Sequence, residues 1–175
     1  MKKLKNKDLQ RISIEEFKNV VKTPITIVLD NVRSALNVGS IFRTSDAFLI
    51  ENIILCGITP IPPNKNIRKV ALGSTNSVSW EFKENTLKAV EKLKKQGYYI
   101  IGVEQAEKST TLNNIQLQNK SLAIIMGNEV DGICDHVINL CDEVIEIPQF
   151  GTKHSLNVSV AAGIVIWELW KHIKT

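Results

Sequence analysis

Residues 145–170 read IEIPQFGTKHSLNVSVAAGIVIWELW, and the reading of this stretch decides the fold. It opens as a short apolar strand, Val144 to Ile147, which Pro148 ends because proline has no N–H to give to a sheet ladder. A loop with polar and cationic groups follows: Gln149, Gly151, Thr152, Lys153 and His154. Ser155 and Asn157 then head a long helix over residues 155–173, apolar nearly all round: Leu156, Val158, Val160, Ala161, Ala162, Ile164, Val165, Ile166, Trp167, Leu169. A helix without a solvent face must be covered on more than one side. A sheet covers one side; a partner subunit is expected on the other, with Trp167 and Trp170 as anchors.

Upstream, the same alternation recurs. Ser13 and Glu16 form a capping box for a helix to about Lys22, which Thr23-Pro24 breaks. Ile25–Leu29, Asn52–Cys56, Tyr98–Val103, Leu122–Met126 and Val144–Ile147 are short, β-branched apolar runs that read as buried strands. Asn37–Phe48 and Asn85–Gln96 read as helices, the second ended by Gly97, and Val130–Cys141 as helical at least in part. Pro60, Pro62 and Pro63 make a rigid loop, and residues 66–80 carry no clear period. Short strands alternating with helices argue a parallel α/β sheet in one domain over residues 1–175, with ligands beyond the carboxyl ends of the strands.

Composition narrows the function classes. No run of eighteen apolar residues occurs, so no membrane span is expected, and MKKLKNKDLQR has no apolar core behind its lysines, unlike a secretory signal. A cytoplasmic location is therefore expected. Cys56, Cys134 and Cys141 form no CxxC pair and read as reduced, buried thiols; no metal site is expected. The net charge of +4 sits in an arm over residues 1–22, which holds seven Lys/Arg against three acids; the remainder has fifteen of each sign. Such an arm suits a phosphate backbone, or serves as a solubilising tail.

Neither a GxGxxG nor a GxxxxGK[ST] phosphate loop is present, nor a nucleophile elbow. Three polar clusters remain, each at a strand-to-helix junction: Asn37-Val-Gly-Ser-Ile-Phe-Arg43-Thr44, Gly127-Asn-Glu129-Val-Asp-Gly132, and Ser155-Leu-Asn157. Arg43 offers a rigid fork of donors suited to phosphate, Glu129 is an acceptor on a glycine-framed loop, and Ser155 and Asn157 stand at the head of the long helix. Taken singly, each also reads as an ordinary cap, surface cation or turn.

Together, NVGSIFRT, MGNEVDG and IPQFGTKHSLNVSVAAGI resemble, in order and spacing, the three signature motifs of the SpoU (TrmH) family of RNA ribose 2′-O-methyltransferases, from about Ile25 to Lys171. The chain departs from many members in carrying Gln149 where they have methionine. The resemblance implies the SPOUT fold, a parallel α/β sheet flanked by helices whose C-terminal part is threaded into a trefoil knot that binds S-adenosylmethionine. It implies a homodimer. It also implies a reaction on RNA at a ribose 2′-hydroxyl, in tRNA rather than rRNA because the extra N-terminal recognition domain of several ribosomal members is not seen. The alternative is a non-catalytic RNA-binding module that kept the fold.

By position, the resemblance makes Arg43 the residue that activates the 2′-hydroxyl. Asn37 shapes its loop, Glu129 supports the site, and Ser155 and Asn157 orient Arg43 and the substrate. Backbone around Val103, Gly127, Ile147 and Leu156 holds the cofactor, and Arg33, Arg68 and Lys153 are the further candidates for RNA phosphates. A guanidinium holds its proton up to a pH of about 12, so Arg43 acts either with a strongly depressed pKa or electrostatically on the developing alkoxide.

Overall fold

A computed structural model describes residues 1–5, 8–117 and 120–174; Asn6 and Lys7 of the arm, and Thr175 at the end of the expected domain, lie outside the described residues. Seven strands form one sheet: β1 Thr23–Asp30, β2 Ile50–Cys56, β3 Ser79–Lys83, β4 Tyr99–Val103, β5 Thr110–Thr111, β6 Leu122–Met126 and β7 Glu143–Glu146. They run in the order β3-β2-β1-β6-β4-β7-β5, and every pairing is parallel. The expected α/β sheet is present, and each anticipated strand falls within two residues of its expected bounds.

The strands read as continuous apolar runs because the sheet is covered on both faces. Alternate residues serve opposite faces: Ile25, Ile27 and Leu29 join one core cluster, and Val28 the other. Helices α1 Ile14–Asn19, α2 Ala35–Ala47, α3 Lys65–Ala71 and α6 Val158–Lys174 contribute to the first cluster. Helices α4 Thr86–Lys95 and α5 Asp135–Ile138 contribute to the second.

Local chemistry explains where elements begin and end. The α1 capping box is present in both directions, Ser13 Oγ accepting from Glu16 N (3.1 Å) and Glu16 Oε2 from Ser13 N (2.7 Å). The helix stops at Asn19 rather than Lys22; the Lys22 ammonium instead turns back to donate to the Phe17 and Val20 carbonyls, over the Phe17 ring. Ser34 caps α2, so that helix starts two residues before Asn37. The unassigned stretch 66–80 contains all but the first residue of α3, a 3₁₀ turn at Ser74–Asn76 and the start of β3. α2 and α3 pack closely across Gly39, where an added Cβ would lie 2.7 Å from the Ile67 carbonyl oxygen.

Val130–Cys141 is helical in part, as expected: Asp135–Ile138 forms α5, while residues 128–132 close a tight turn with Gly132 at φ +68°. Two expectations change. α6 begins at Val158, leaving Ser155 in an exposed loop. The cysteines are all free, as expected, but only Cys56 is buried; Cys141 is half-buried and Cys134 exposed.

α6 covers the sheet with Val158, Ala162, Val165, Ile166 and Leu169, and turns Val160, Ile164 and Trp167 outward. Trp167 stacks on Trp170 with ring centroids 5.5 Å apart, and Phe48 from the end of α2 meets both edge-on. No helix among the described residues is long and apolar enough to cross a membrane.

Candidate active site

The site is built where the chain leaves β1. Asp30, the last residue of β1, is almost completely buried and accepts from the Thr86 hydroxyl (2.5 Å), the Asn31 side-chain amide (2.8 Å) and the Cys134 N–H (3.3 Å). Asn31 follows with a left-handed backbone, φ +55°. Its side-chain oxygen accepts from Ile58 N–H (3.1 Å), and its carbonyl accepts from the Asn128 amide (2.8 Å). Buried polar groups without partners are costly, so this cluster pins the loops after β1, β2 and β6 to one another.

The loop after β6 is shaped by Asn128. Its side-chain oxygen accepts from the N–H groups of Val130 (2.8 Å) and Asp131 (3.3 Å), and its backbone pairs both ways with Gly132. A Cβ on Gly127 would lie 2.4 Å from the Gly132 carbonyl carbon, so only glycine admits this closure. The turn presents Glu129 to the loop after β1. There its carboxylate accepts from the N–H groups of Arg33 (2.9 Å) and Ser34 (3.1 Å) and from the Asn37 side chain (3.1 Å). Partial burial pushes the Glu129 carboxyl up. The backbone donors, Arg33 first, and the Asn37 amide outweigh it and hold the group below its ordinary value.

The third cluster joins through Asn157. Its side-chain nitrogen donates to Asn37 Oδ1 (3.1 Å), while its side-chain oxygen caps α6 by accepting from the Ser159 N–H (2.9 Å). Asn157, Asn37 and Glu129 thus form one hydrogen-bonded chain that joins the first turn of α2 to the loops after β6 and before α6, far apart in sequence.

Beside this chain, at the carboxyl ends of β4, β6 and β7, lies a cavity of about 480 Å³, within the range of small-ligand sites. Val103, Gly127, Ile147 and Leu156, the residues expected around a cofactor, all line it, as do Glu129, Ser155 and Asn157. Asn37 and Arg43 do not. Arg43 lies six residues beyond Asn37 on α2, about 9 Å along the axis and about 120° around it. It shares the outward stripe of α2 with Leu36, Ser40 and Ala47, is exposed, and makes no hydrogen bond or ion pair among the described residues. Asn157 therefore meets Asn37 and not Arg43. Arg33, Arg68 and Lys153 are exposed, on the loop after β1, on α3 and on the loop before α6.

Residues 24–167 match the SpoU rRNA Methylase family. The chain belongs to that family. It is 34% identical to the 23S rRNA (guanosine-2′-O-)-methyltransferase RlmB of Neisseria meningitidis serogroup B over 152 residues, 87% of this chain and 60% of the relative. Among solved structures it resembles the AdoMet-bound rRNA methyltransferase from Sinorhizobium meliloti: TM-score 0.81, 25% identity, 90% of this chain and 60% of that one. It shares its fold with the TrmH/SpoU tRNA-modifying enzyme of A. aeolicus, at TM-score 0.81 and 24% identity over 92% of this chain and 82% of that one. The chain spans about three fifths of the curated relative's length.

Four residues of this SpoU-family site were not singled out in the sequence: Asp30, Asn128, Glu104 and Gln105. Asn128 sits between two residues that were, and Asp30 is a carboxylate ending an apolar strand, which is a signal of its own. Glu104 and Gln105 follow β4 with nothing in the sequence to mark them. In the fold, Gln105 Nε2 donates to the His154 carbonyl (2.7 Å) across the cavity mouth.

Proposed function

We propose that the protein transfers a methyl group from S-adenosylmethionine to a ribose 2′-hydroxyl of RNA. The observation that carries this reading is the single hydrogen-bonded chain Asn157–Asn37–Glu129, which joins all three family motifs at the rim of a cavity of cofactor size. The fit is chemical as well as spatial: the cavity is lined by the apolar residues Val103, Ile147 and Leu156 and by Gly127, suited to a nucleoside. When bound, the cofactor supplies an electrophilic methyl on a sulfonium, so no metal is needed to create the electrophile. Among the described residues no cluster of His, Cys, Asp or Glu is placed to hold one.

The chain's own residues position the partners. The loop closed by Gly127 and Asn128 sets one wall, and the loop before α6, tied by Gln105 to His154 and by Asn157 to Asn37, sets the other. Holding a nucleophile about 3 Å from its target supplies several kcal/mol of the barrier by itself. Arg43 acts from outside the cavity, where a guanidinium favours the 2′-oxygen as it gains negative charge and pairs with the adjoining phosphate. The threaded, knotted arrangement of the SPOUT fold belongs to this reading: the 147–157 loop lines one cavity with the carboxyl ends of β4 and β6, and α6 packs on α2.

Two copies pair, in this reading, through the outward stripe of α6 together with Leu36 of α2. Val160, Leu36 and Trp167 are each about half exposed, an unusual amount of apolar surface on two adjoining helices. Sedimentation at micromolar concentration is expected to give a dimer, and a monomer refutes the pairing. The substrate is rRNA, as in the Neisseria and Sinorhizobium names, or tRNA, as in the A. aeolicus one. Maps of 2′-O-methylation in total RNA with and without the gene identify it, and identical maps overturn the proposed function.

A further inference from the structure

Among the described residues the cavity is lined by three carboxylates, Glu104, Glu129 and Glu146, and by no lysine or arginine. Glu129 is committed to three donors of its own surroundings. The other two are placed differently. Val103 pairs with Ile145 in the β4–β7 ladder, and Glu104 N–H extends that ladder to the Ile145 carbonyl (3.0 Å). Glu104 and Glu146 are therefore the next neighbours in register, on the same face of adjacent strands. Like charges so placed are unfavourable in an isolated sheet.

The fold nonetheless makes room for both. Glu104 is held by the N–H groups of Gln105 (2.9 Å) and Ile133 (3.1 Å), and Gly132 leaves the space its carboxylate fills, since a Cβ there would lie 2.2 Å from Glu104 Oε2. Glu146 is half-buried and makes no hydrogen bond or ion pair among the described residues. A local conflict kept in place by surrounding structure marks a functional position. Two adjacent carboxylates on the wall of a cavity without cations favour a ligand that carries positive charge inside it.

We propose that Glu104 and Glu146 are specificity-determining residues that make the cavity prefer the sulfonium cofactor over its product. This rests on the methyltransferase reading above. In methyl transfer the C–S bond breaks with its electrons left on sulfur, the C–O bond forms, and the hydroxyl proton passes to solvent. The cofactor thereby changes from a sulfonium cation to a neutral thioether, while its ammonium and carboxylate are unchanged. Only the sulfur charge differs between substrate and product, so the carboxylate pair weakens the hold on the product and speeds its exchange.

The test is calorimetric binding of three probes to the full chain: S-adenosylmethionine, S-adenosylhomocysteine, and an analogue in which a charged amine replaces the methylsulfonium. Glu146→Gln and Glu104→Gln are each expected to lower the preference for S-adenosylmethionine over S-adenosylhomocysteine by about three- to tenfold at low salt, and less at high salt. S-adenosylhomocysteine affinity stays within about twofold, and the charged analogue follows S-adenosylmethionine. Glu146→Gln disturbs no contact among the described residues, so it reports the charge even if Glu104→Gln fails to fold. A preference unchanged in Glu146→Gln, or an analogue that follows S-adenosylhomocysteine, overturns this inference alone. A wild-type chain that binds none of the three overturns the methyltransferase reading and this inference with it.

Discussion

Replacing Glu129 with alanine removes the acceptor that three donors share: the N–H groups of Arg33 and Ser34 and the Asn37 side chain. A hydrogen bond to a charged group contributes about 1.5–3 kcal/mol when buried. This carboxylate is partly open to water and the freed N–H groups can be hydrated, so the total loss is about 1–2 kcal/mol rather than the sum. For a chain of this size that lowers Tm by roughly 2–8 °C. Methyl transfer falls much further, because Asn37 and the loop after β1 lose the anchor that sets their geometry. Glu129→Gln adds a pH test. The Glu129 carboxyl lies below its ordinary value in the folded protein, so its stabilisation is complete above the unfolded pKa of about 4.3 and is lost as pH falls through the lower folded value. The stability difference between wild type and Glu129→Gln is therefore expected to be constant near neutral pH and to shrink as pH falls below about 5, through the unfolded and then the lower folded value. Denaturant titrations across that range measure it, with amide exchange at Arg33 and Ser34 as the local readout. A pH-independent difference, or unchanged protection of those two amides in Glu129→Ala, refutes the network as described.

Gly39→Ala places a methyl 2.7 Å from the Ile67 carbonyl and 3.1 Å from Val70 Cβ; we expect α2 and α3 to separate slightly, at about 1–3 kcal/mol by denaturant titration. Asn157→Ala uncaps α6 and frees Asn37, and is expected to lower stability by about 1 kcal/mol and turnover by far more, in parallel assays of melting and methyl incorporation. Deleting residues 1–11 is expected to weaken RNA binding and flatten its salt dependence while leaving cofactor affinity unchanged. The arm joins the amino end of β1 by way of α1, at the end of the parallel strands opposite the cavity, so it is expected to touch RNA away from the modified nucleotide.

The fold was legible because parallel strands buried on both faces leave apolar runs that periodicity detects, as Ile25–Leu29 and Leu122–Met126 show. What was not legible depended on long-range closure. The Val130–Cys141 segment has helical residues, but the Asn128–Gly132 turn takes its first part, and the glycine needed there is explained only by the backbone 2.4 Å away. Order and spacing of three motifs placed Glu129, Asn37 and Asn157 together on resemblance. Their hydrogen bonding could not be read, since the contacts span 92 and 120 residues. Arg43 was expected beside Ser155 and Asn157, whereas helical geometry turns it to the outer stripe of α2. Glu104 and Glu146 were invisible because a carboxylate after a strand looks like ordinary surface until register sets two side by side.

The central claim is tested most directly by the product. The protein is incubated with S-adenosylmethionine carrying an isotopically labelled methyl and with RNA from cells lacking the gene; the RNA is digested to nucleosides and analysed by mass spectrometry. The account predicts labelled 2′-O-methyl nucleoside with wild-type protein and none with Arg43→Ala, whose cofactor affinity stays within a few fold because Arg43 lies outside the cavity. Label on a base, or equal label from Arg43→Ala, contradicts it.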